Sequence, residues 1–247
     1  MAKRDGNAAA LMASLLKNGG TPDQLGTRAR DWSPDDVIRV LGDVLSAERK
    51  RRIERVVRDR TRTVTTVVEG IVNTGNVSAV MRTAEAFGFQ SFHVITGNNP
   101  YKYSERTTQG AQKWLDVFVW KSASECVQNL KTAGYEIVVT HIDACAEPLH
   151  TLDFTQKTAL VFGNELSGVS EEMLSMAHRS VVIPSTGFVR SFNISVAAAI
   201  ALHTAARDRV RKLGRSGDLS PEEQEILTAE FYIRAVAHAE DILEKAL

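Results

Sequence analysis

From residue 64 to about residue 205 the chain alternates short β-branched, apolar runs with stretches of helical period. The runs at 64–68, 91–95, 117–120, 136–140, 158–162 and 180–183 read as strands. The segments 77–87, 123–132, 171–176 and 191–211 read as helices between them. This alternation predicts an α/β domain built on a mostly parallel sheet. In front, residues 1–47 form a predicted helical extension. Its first helix, 7–17, stops at Asn18-Gly19-Gly20. Ser33-Pro34-Asp35-Asp36 opens the next, with a hydroxyl to cap, proline in the first turn and acids at the positive end of the dipole. That helix carries Val37, Val40, Leu41, Val44 and Leu45 on one face and is expected to run on through Ile53, Val56 and Val57. Behind the domain, residues 213–247 form a second helical extension. There Ser220-Pro221-Glu222-Glu223 reads as a capping box opening one final helix towards Leu247.

Composition narrows the class. The 247 residues are 43% hydrophobic and 24% charged, which excludes a disordered or collagen-like chain. The longest apolar run, 196–202, falls far short of the ~20 residues that cross a bilayer. No apolar stretch follows Met1-Ala2-Lys3-Arg4, so no secretory signal is expected. Two cysteines, Cys126 and Cys145, fit neither a disulfide framework nor a metal site, and the expected compartment is the cytoplasm.

Thirty basic residues balance thirty acidic ones, yet the charge is segregated. Residues 48–62 hold eight Lys or Arg against three acids, 207–215 hold five against one, and 216–247 hold eight acids against two bases. Two basic blocks flanking an α/β core suggest a surface that meets a polyanion, with Arg49, Lys50, Arg51, Arg52, Arg55 and Arg58 as candidate RNA contacts. The bland alternative is a solvated helix face. An α/β sheet invites a nucleotide, but neither G-x-G-x-x-G nor G-x-x-x-x-G-K-[ST] occurs, so Rossmann and P-loop chemistry are excluded.

Three loops at strand ends carry the candidate chemistry. The first is Asn73-Thr74-Gly75-Asn76-Val77 leading to Arg82-Thr83-Ala84, where Gly75 permits a tight turn, Asn76 is placed to cap, and Arg82 sits two turns into a helix among small apolar residues. The second is Phe162-Gly163-Asn164-Glu165-Leu166-Ser167-Gly168-Val169-Ser170. The third is Ile183-Pro184-Ser185-Thr186-Gly187-Phe188-Val189-Arg190-Ser191-Phe192-Asn193-Ile194-Ser195. Taken singly, Ser191, Asn193 and Ser195 are ordinary helix-start residues.

Together and in this order, over residues 49–212, the three stretches resemble the SPOUT methyltransferases, specifically the SpoU (TrmH-like) branch that methylates the ribose 2′-oxygen of RNA. The resemblance implies a methyltransferase domain over 48–212 whose part from about 136 to 205 is tied in a deep trefoil knot. It also implies a homodimer, with the active site where two knots meet. S-adenosylmethionine would lie against Thr140, Gly163, Ile183 and Phe192, the last a departure from the leucine common at this position. No metal is implied. Arg82 matches the residue proposed in the family as general base, Asn76 would orient the backbone near it, and Glu165, Ser191 and Asn193 would shape the site. A guanidinium stays protonated. Arg82 is therefore either an assisted base or a charged clamp on phosphate that steadies developing negative charge. The layout is closest to the branch acting on guanosine 18 of tRNA. Ribosomal RNA is the alternative substrate, and a non-catalytic RNA-binding knot the alternative class.

Overall fold

The computed structural model describes residues 21–22, 32–70, 73–97, 102–189 and 191–247. The helix expected at 7–17 lies outside them. Eight strands form one sheet: β1 (Thr21–Pro22), β2 (Val64–Glu69), β3 (Ser91–Ile95), β4 (Asp116–Trp120), β5 (Glu136–Thr140), β6 (Glu147–Pro148), β7 (Thr158–Phe162) and β8 (Arg179–Val182). Their order is β1-β4-β3-β2-β7-β5-β8-β6, and every pairing is parallel except that of β1 with β4. The N-terminal extension is therefore not purely helical, since β1 lends it an edge strand. β2, β3 and β7 are buried along their whole length, as a parallel sheet covered on both faces requires.

The helices are α1 (Pro34–Gly42), α2 (Ala47–Arg58), α3 (Thr74–Ala86), α4 (Glu105–Thr108), α5 (Ala123–Thr132), α6 (Glu171–Met176), α7 (Ile194–Leu213), α8 (Pro221–Ala235) and α9 (Ala239–Ala246). One core joins α3 and α7 to the sheet through Val80, Met81, Ala198 and Leu202. The other joins α5 and α6 to the opposite face through Cys126, Leu130 and Met173. A third cluster holds the two extensions together, with Leu41, Ile53, Leu227, Phe231 and Leu243 shared among α1, α2, α8 and α9.

Two long predicted helices are each broken in two. Ser46 caps a new helix by accepting from the Arg49 N–H (3.2 Å), and the Lys50 ammonium donates to the terminal Gly42 carbonyl of α1 (2.9 Å). Val44 and Leu45 thus fall in the turn rather than on an apolar helix face, and Val44 is exposed. The C-terminal helix stops at Ala235 and restarts after His238, whose φ of 54° is left-handed. The α8 capping box forms as the sequence predicts.

Part of the charge in the segregated blocks is used inside the fold. Asp116, at the start of β4, accepts from Arg62 (3.1 Å) and Arg234 (2.9 Å), tying the sheet to α8. Burial would raise the Asp116 pKa, but the two guanidinium groups outweigh it and hold it below the ordinary value. Arg209 is fully buried and donates to the carbonyls of Phe154 and Ser216 and to Asp218 (2.6 Å). Arg211 and Lys212 both pair with Asp208. Most of the second basic block is therefore structural rather than free for a polyanion. Among the described residues, no helix is long and apolar enough to cross a membrane.

Replacing Asp116 leaves Arg62 without its carboxylate partner and Arg234 with Glu230 alone. Asp116→Ala is expected to cost about 3–5 kcal/mol in urea unfolding, and less than additively when combined with Arg234→Ala. A loss under about 1 kcal/mol would show that the network does not bind α8 to the sheet.

Candidate active site

In a parallel sheet, ligands gather at the carboxyl ends of the strands where the order reverses. Here the chain runs outward through β2, β3 and β4, then returns to build β7, β5 and β8 on the other side of β2. At the end of β7, Gly163 meets the backbone of its own loop. A Cβ on Gly163 would lie 2.2 Å from both the Gly168 carbonyl carbon and the Val169 nitrogen, so no side chain fits. The loop is closed by reciprocal backbone bonds between Asn164 and Gly168 (2.8 and 2.9 Å), with Gly168 at φ +70°.

Side chains then fix this loop to its neighbours. Asn164 donates through Nδ2 to the Gly70 carbonyl (2.9 Å), while its Oδ1 accepts from the Leu166 and Ser167 amides. Ser170 caps α6 by accepting from Met173, and donates its own amide (2.9 Å) and hydroxyl (2.7 Å) to the Glu69 carboxylate. Glu69 and Asn164 were not singled out in the sequence. The available signal for Glu69 is its position as an acid closing an otherwise uncharged strand, β2.

The loops after β5, β7 and β8 enclose a cleft of about 290 Å³. Thr140, Gly163, Ile183 and Phe192 all line it, as do Glu165 and Ser191. His141, Ile142 and Leu166 join them without having been foreseen. The Thr140 hydroxyl is used within the sheet, donating to the Val161 carbonyl (3.0 Å). Asn193 stands at the N-cap of α7, where its Oδ1 accepts from both the amide (2.9 Å) and hydroxyl (2.6 Å) of Ser195. The helix therefore starts three residues later than the predicted 191.

On α3 the cap is Asn73, accepting from Gly75 (2.9 Å), rather than Asn76. Asn76 lies inside the first turn, and its Nδ2 donates to Glu165 Oε1. Arg82 does not line the cleft. It is exposed on α3, has no hydrogen bond or ion pair among the described residues, and lies six residues beyond Asn76, about 9 Å along the axis.

The described cleft lining contains no Lys or Arg, and Glu165 is its one carboxylate. That chemistry suits a ligand without phosphate, carrying an apolar ring system and positive charge. The volume is near the lower end, about 300 Å³, of small-molecule pockets. Thus S-adenosylmethionine, with its adenine, sulfonium and ammonium, fits the residues present. Among the described residues, no cluster of His, Cys, Asp or Glu is arranged to hold a metal ion.

The basic helix α2 divides by face. Arg51, Arg52, Arg55 and Arg58 point outward to varying degrees, Arg49 is half-buried beside Trp114, and Lys50 is engaged by the end of α1.

This arrangement of parallel sheet and strand-end cleft defines an α/β enzyme of the methyltransferase type seen in a solved structure. The TrmH/SpoU tRNA-modifying enzyme of A. aeolicus superposes with a TM-score of 0.71 at 30% identity, covering 77% of this chain and 98% of that one. The chain belongs to the SpoU rRNA methylase family, whose model matches residues 63–203. It is 36% identical to the tRNA (guanosine(18)-2′-O)-methyltransferase of Borreliella burgdorferi over 205 residues, 82% of this chain and 94% of that protein. It is also 36% identical to a Thermus thermophilus enzyme of the same name, over 66% of this chain and 84% of that one.

Gly163→Ala forces a Cβ into the Gly168–Val169 backbone, so the loop must shift. Calorimetric titration is expected to show at least a tenfold loss of S-adenosylmethionine affinity with the circular dichroism of the fold retained. Unchanged affinity would mean that this close approach does not shape the ligand cleft.

Proposed function

We propose that the protein transfers a methyl group from S-adenosylmethionine to the ribose 2′-oxygen of guanosine 18 in tRNA. One observation carries this reading: the likeness to the Borreliella burgdorferi enzyme spans 205 residues, well beyond the 63–203 segment of the family model. On a 247-residue chain a match of that length takes in α2 and its basic outer face.

S-adenosylmethionine supplies an electrophilic methyl when held in the cleft. The chain's own contribution is mainly orientation. Gly163 and Gly168 shape one wall, Ile183 and Phe192 lie on another, and Glu165 places negative charge at the edge. The Asn76–Glu165 bond joins the cleft to the start of α3, and so sets where Arg82 stands. Arg82 remains charged, grips the phosphate beside the target ribose and steadies negative charge developing on the 2′-oxygen. Asn193 and Ser195 hold the start of α7, next in sequence to Ser191 and Phe192.

The site is completed by a second copy of the chain. Arg82 stands outside the cleft of its own subunit, and Ile142, Leu166, Phe188, Val189, Phe192 and Val196 are all exposed at or near the cleft. An apolar group of this extent is what an interface offers. The trefoil knot belongs to the same reading. In its support, β5 is inserted between β7 and β8, both of which follow it in the chain.

Labelled methyl transfer to total tRNA and to ribosomal RNA tests the reading. Wild-type enzyme is expected to label tRNA, and Arg82→Ala to lose at least a thousandfold in rate with S-adenosylmethionine affinity within twofold of wild type. Arg82→Lys should retain a small residual rate, because a point charge survives without the bidentate fork. Substantial activity in Arg82→Ala would remove Arg82 from the chemistry. Sedimentation equilibrium at micromolar concentration is expected to give twice the 27.1 kDa chain mass. A monomer would contradict the shared site.

A further inference from the structure

A second cavity, of about 130 Å³, lies between α2, α8 and the short helical turn that carries Trp114. Its lining includes Arg49, Arg52, Arg60, Glu85, Trp114 and Phe231. Three guanidinium groups face one carboxylate there, so the cavity is positive. The Arg49 guanidinium sits 5.3 Å from the Trp114 ring centroid, and the Lys113 ammonium sits 5.5 Å from it. Trp114 meets Phe231 edge-on at 5.2 Å, and the Arg60 guanidinium lies 5.6 Å from the Phe231 ring centroid.

Arg60 is the informative residue. Its side chain is 1% exposed, yet only part of its donor set is used: Nη1 donates to the Glu85 carbonyl (3.2 Å) and Nη2 to the Glu85 carboxylate (2.6 Å). Its Nε is buried and has no hydrogen-bond partner among the described residues. Burial pulls the Arg60 pKa down, and the Glu85 carboxylate works against that shift.

The position is also informative. Glu85 lies near the far end of α3, nine residues or about 14 Å from Asn76 at the cleft edge. It is three residues beyond Arg82, and side chains at this spacing share a helix face. A strand of RNA with its target ribose at Arg82 therefore has this cavity within reach along the same helix.

We propose that the cavity receives one unstacked nucleotide of the RNA substrate. Its base stacks against Trp114 and the neighbouring guanidinium planes, and its phosphate lies on Arg52. Aromatic and guanidinium planes are what single-stranded bases stack on, and the buried Arg60–Glu85 pair lies in the lining beside them. The site is separate from the cofactor cleft and gives the basic face of α2 a defined footing, where exposed arginines alone would supply only diffuse attraction. The inference rests on the RNA-methylating reading above.

The test follows intrinsic tryptophan emission of the full chain during titration with bulk tRNA, alongside labelled methyl transfer by the wild-type enzyme. tRNA is expected to quench the wild-type emission, and Trp114→Phe to lose that quench while keeping the ring packing on Phe231. Trp114→Ala and Arg52→Ala should each weaken tRNA binding about 5- to 100-fold, the range for a lost base–aromatic stack, with S-adenosylmethionine affinity unchanged. A single-stranded oligonucleotide should compete for the Trp114-dependent quench, and a blunt RNA duplex of equal length should not. Quenching retained in Trp114→Phe, tRNA affinity within twofold of wild type in Arg52→Ala, or equal competition by the duplex would each overturn the proposal. If wild-type enzyme methylates tRNA but shows these results, the cavity assignment alone fails. If it methylates no tRNA yet loses the quench in Trp114→Phe, the nucleotide site stands and the methylation reading falls.

Discussion

The functional end of this molecule depends on how closely two stretches of backbone approach at the end of β7. Gly163 lies against Gly168 and Val169 with no room for a Cβ, and this contact closes the loop between them. From the closed loop follow the direction of Glu165, the capped start of α6 at Ser170 and the anchoring of that cap on Glu69. Asn164 ties the same loop back to the end of β2 through the Gly70 carbonyl. Two neighbouring parallel strands thus have their carboxyl ends locked together by side-chain bonds, and the cleft sits beside that lock. Rigid walls are what a transfer dependent on alignment requires.

Charge supports this arrangement more than it decorates the surface. Asp218 of the acidic C-terminal segment meets the buried Arg209, and Asp116 joins Arg62 to Arg234. These buried pairs hold the helical extensions onto the α/β core, where Phe231, Leu227, Ile53 and Leu41 already share an apolar cluster. On the outer face of α2 and at Arg82, exposed cations have no ion pair among the described residues. A net charge of zero therefore coexists with a local surface suited to a polyanion.

Much of this was legible in the sequence, for identifiable reasons. The six predicted strands matched within a residue or two, because buried parallel strands are continuous β-branched runs, as Val64 to Val68 shows. The two-residue strands β1 and β6 carry no such run. The cleft residues were legible because Gly163, Glu165, Ile183 and Ser191 sit in strand-end loops whose spacing matches a known family. The helix breaks were not. Ser46 carries a capping signal that the continuing helical period of Ile53, Val56 and Val57 masked, and His238 adopts a left-handed conformation without a glycine to announce it. The basic blocks were visible, but sequence could not separate Arg209, buried among carbonyls, from Arg51, exposed on α2. Trp114 gave no signal because its partners, Arg49 and Phe231, are distant in the chain and meet it only in the fold.

The central claim is that this cleft serves methyl transfer to one ribose oxygen of tRNA. The most direct measurement is mass spectrometry of nuclease fragments from unmodified tRNA incubated with the full chain and S-adenosylmethionine. The account predicts a single added methyl in the fragment containing guanosine 18, appearing as 2′-O-methylguanosine on digestion to nucleosides. A methyl carried on a base, a methyl at another position, or unchanged tRNA beside methylated ribosomal RNA would contradict it.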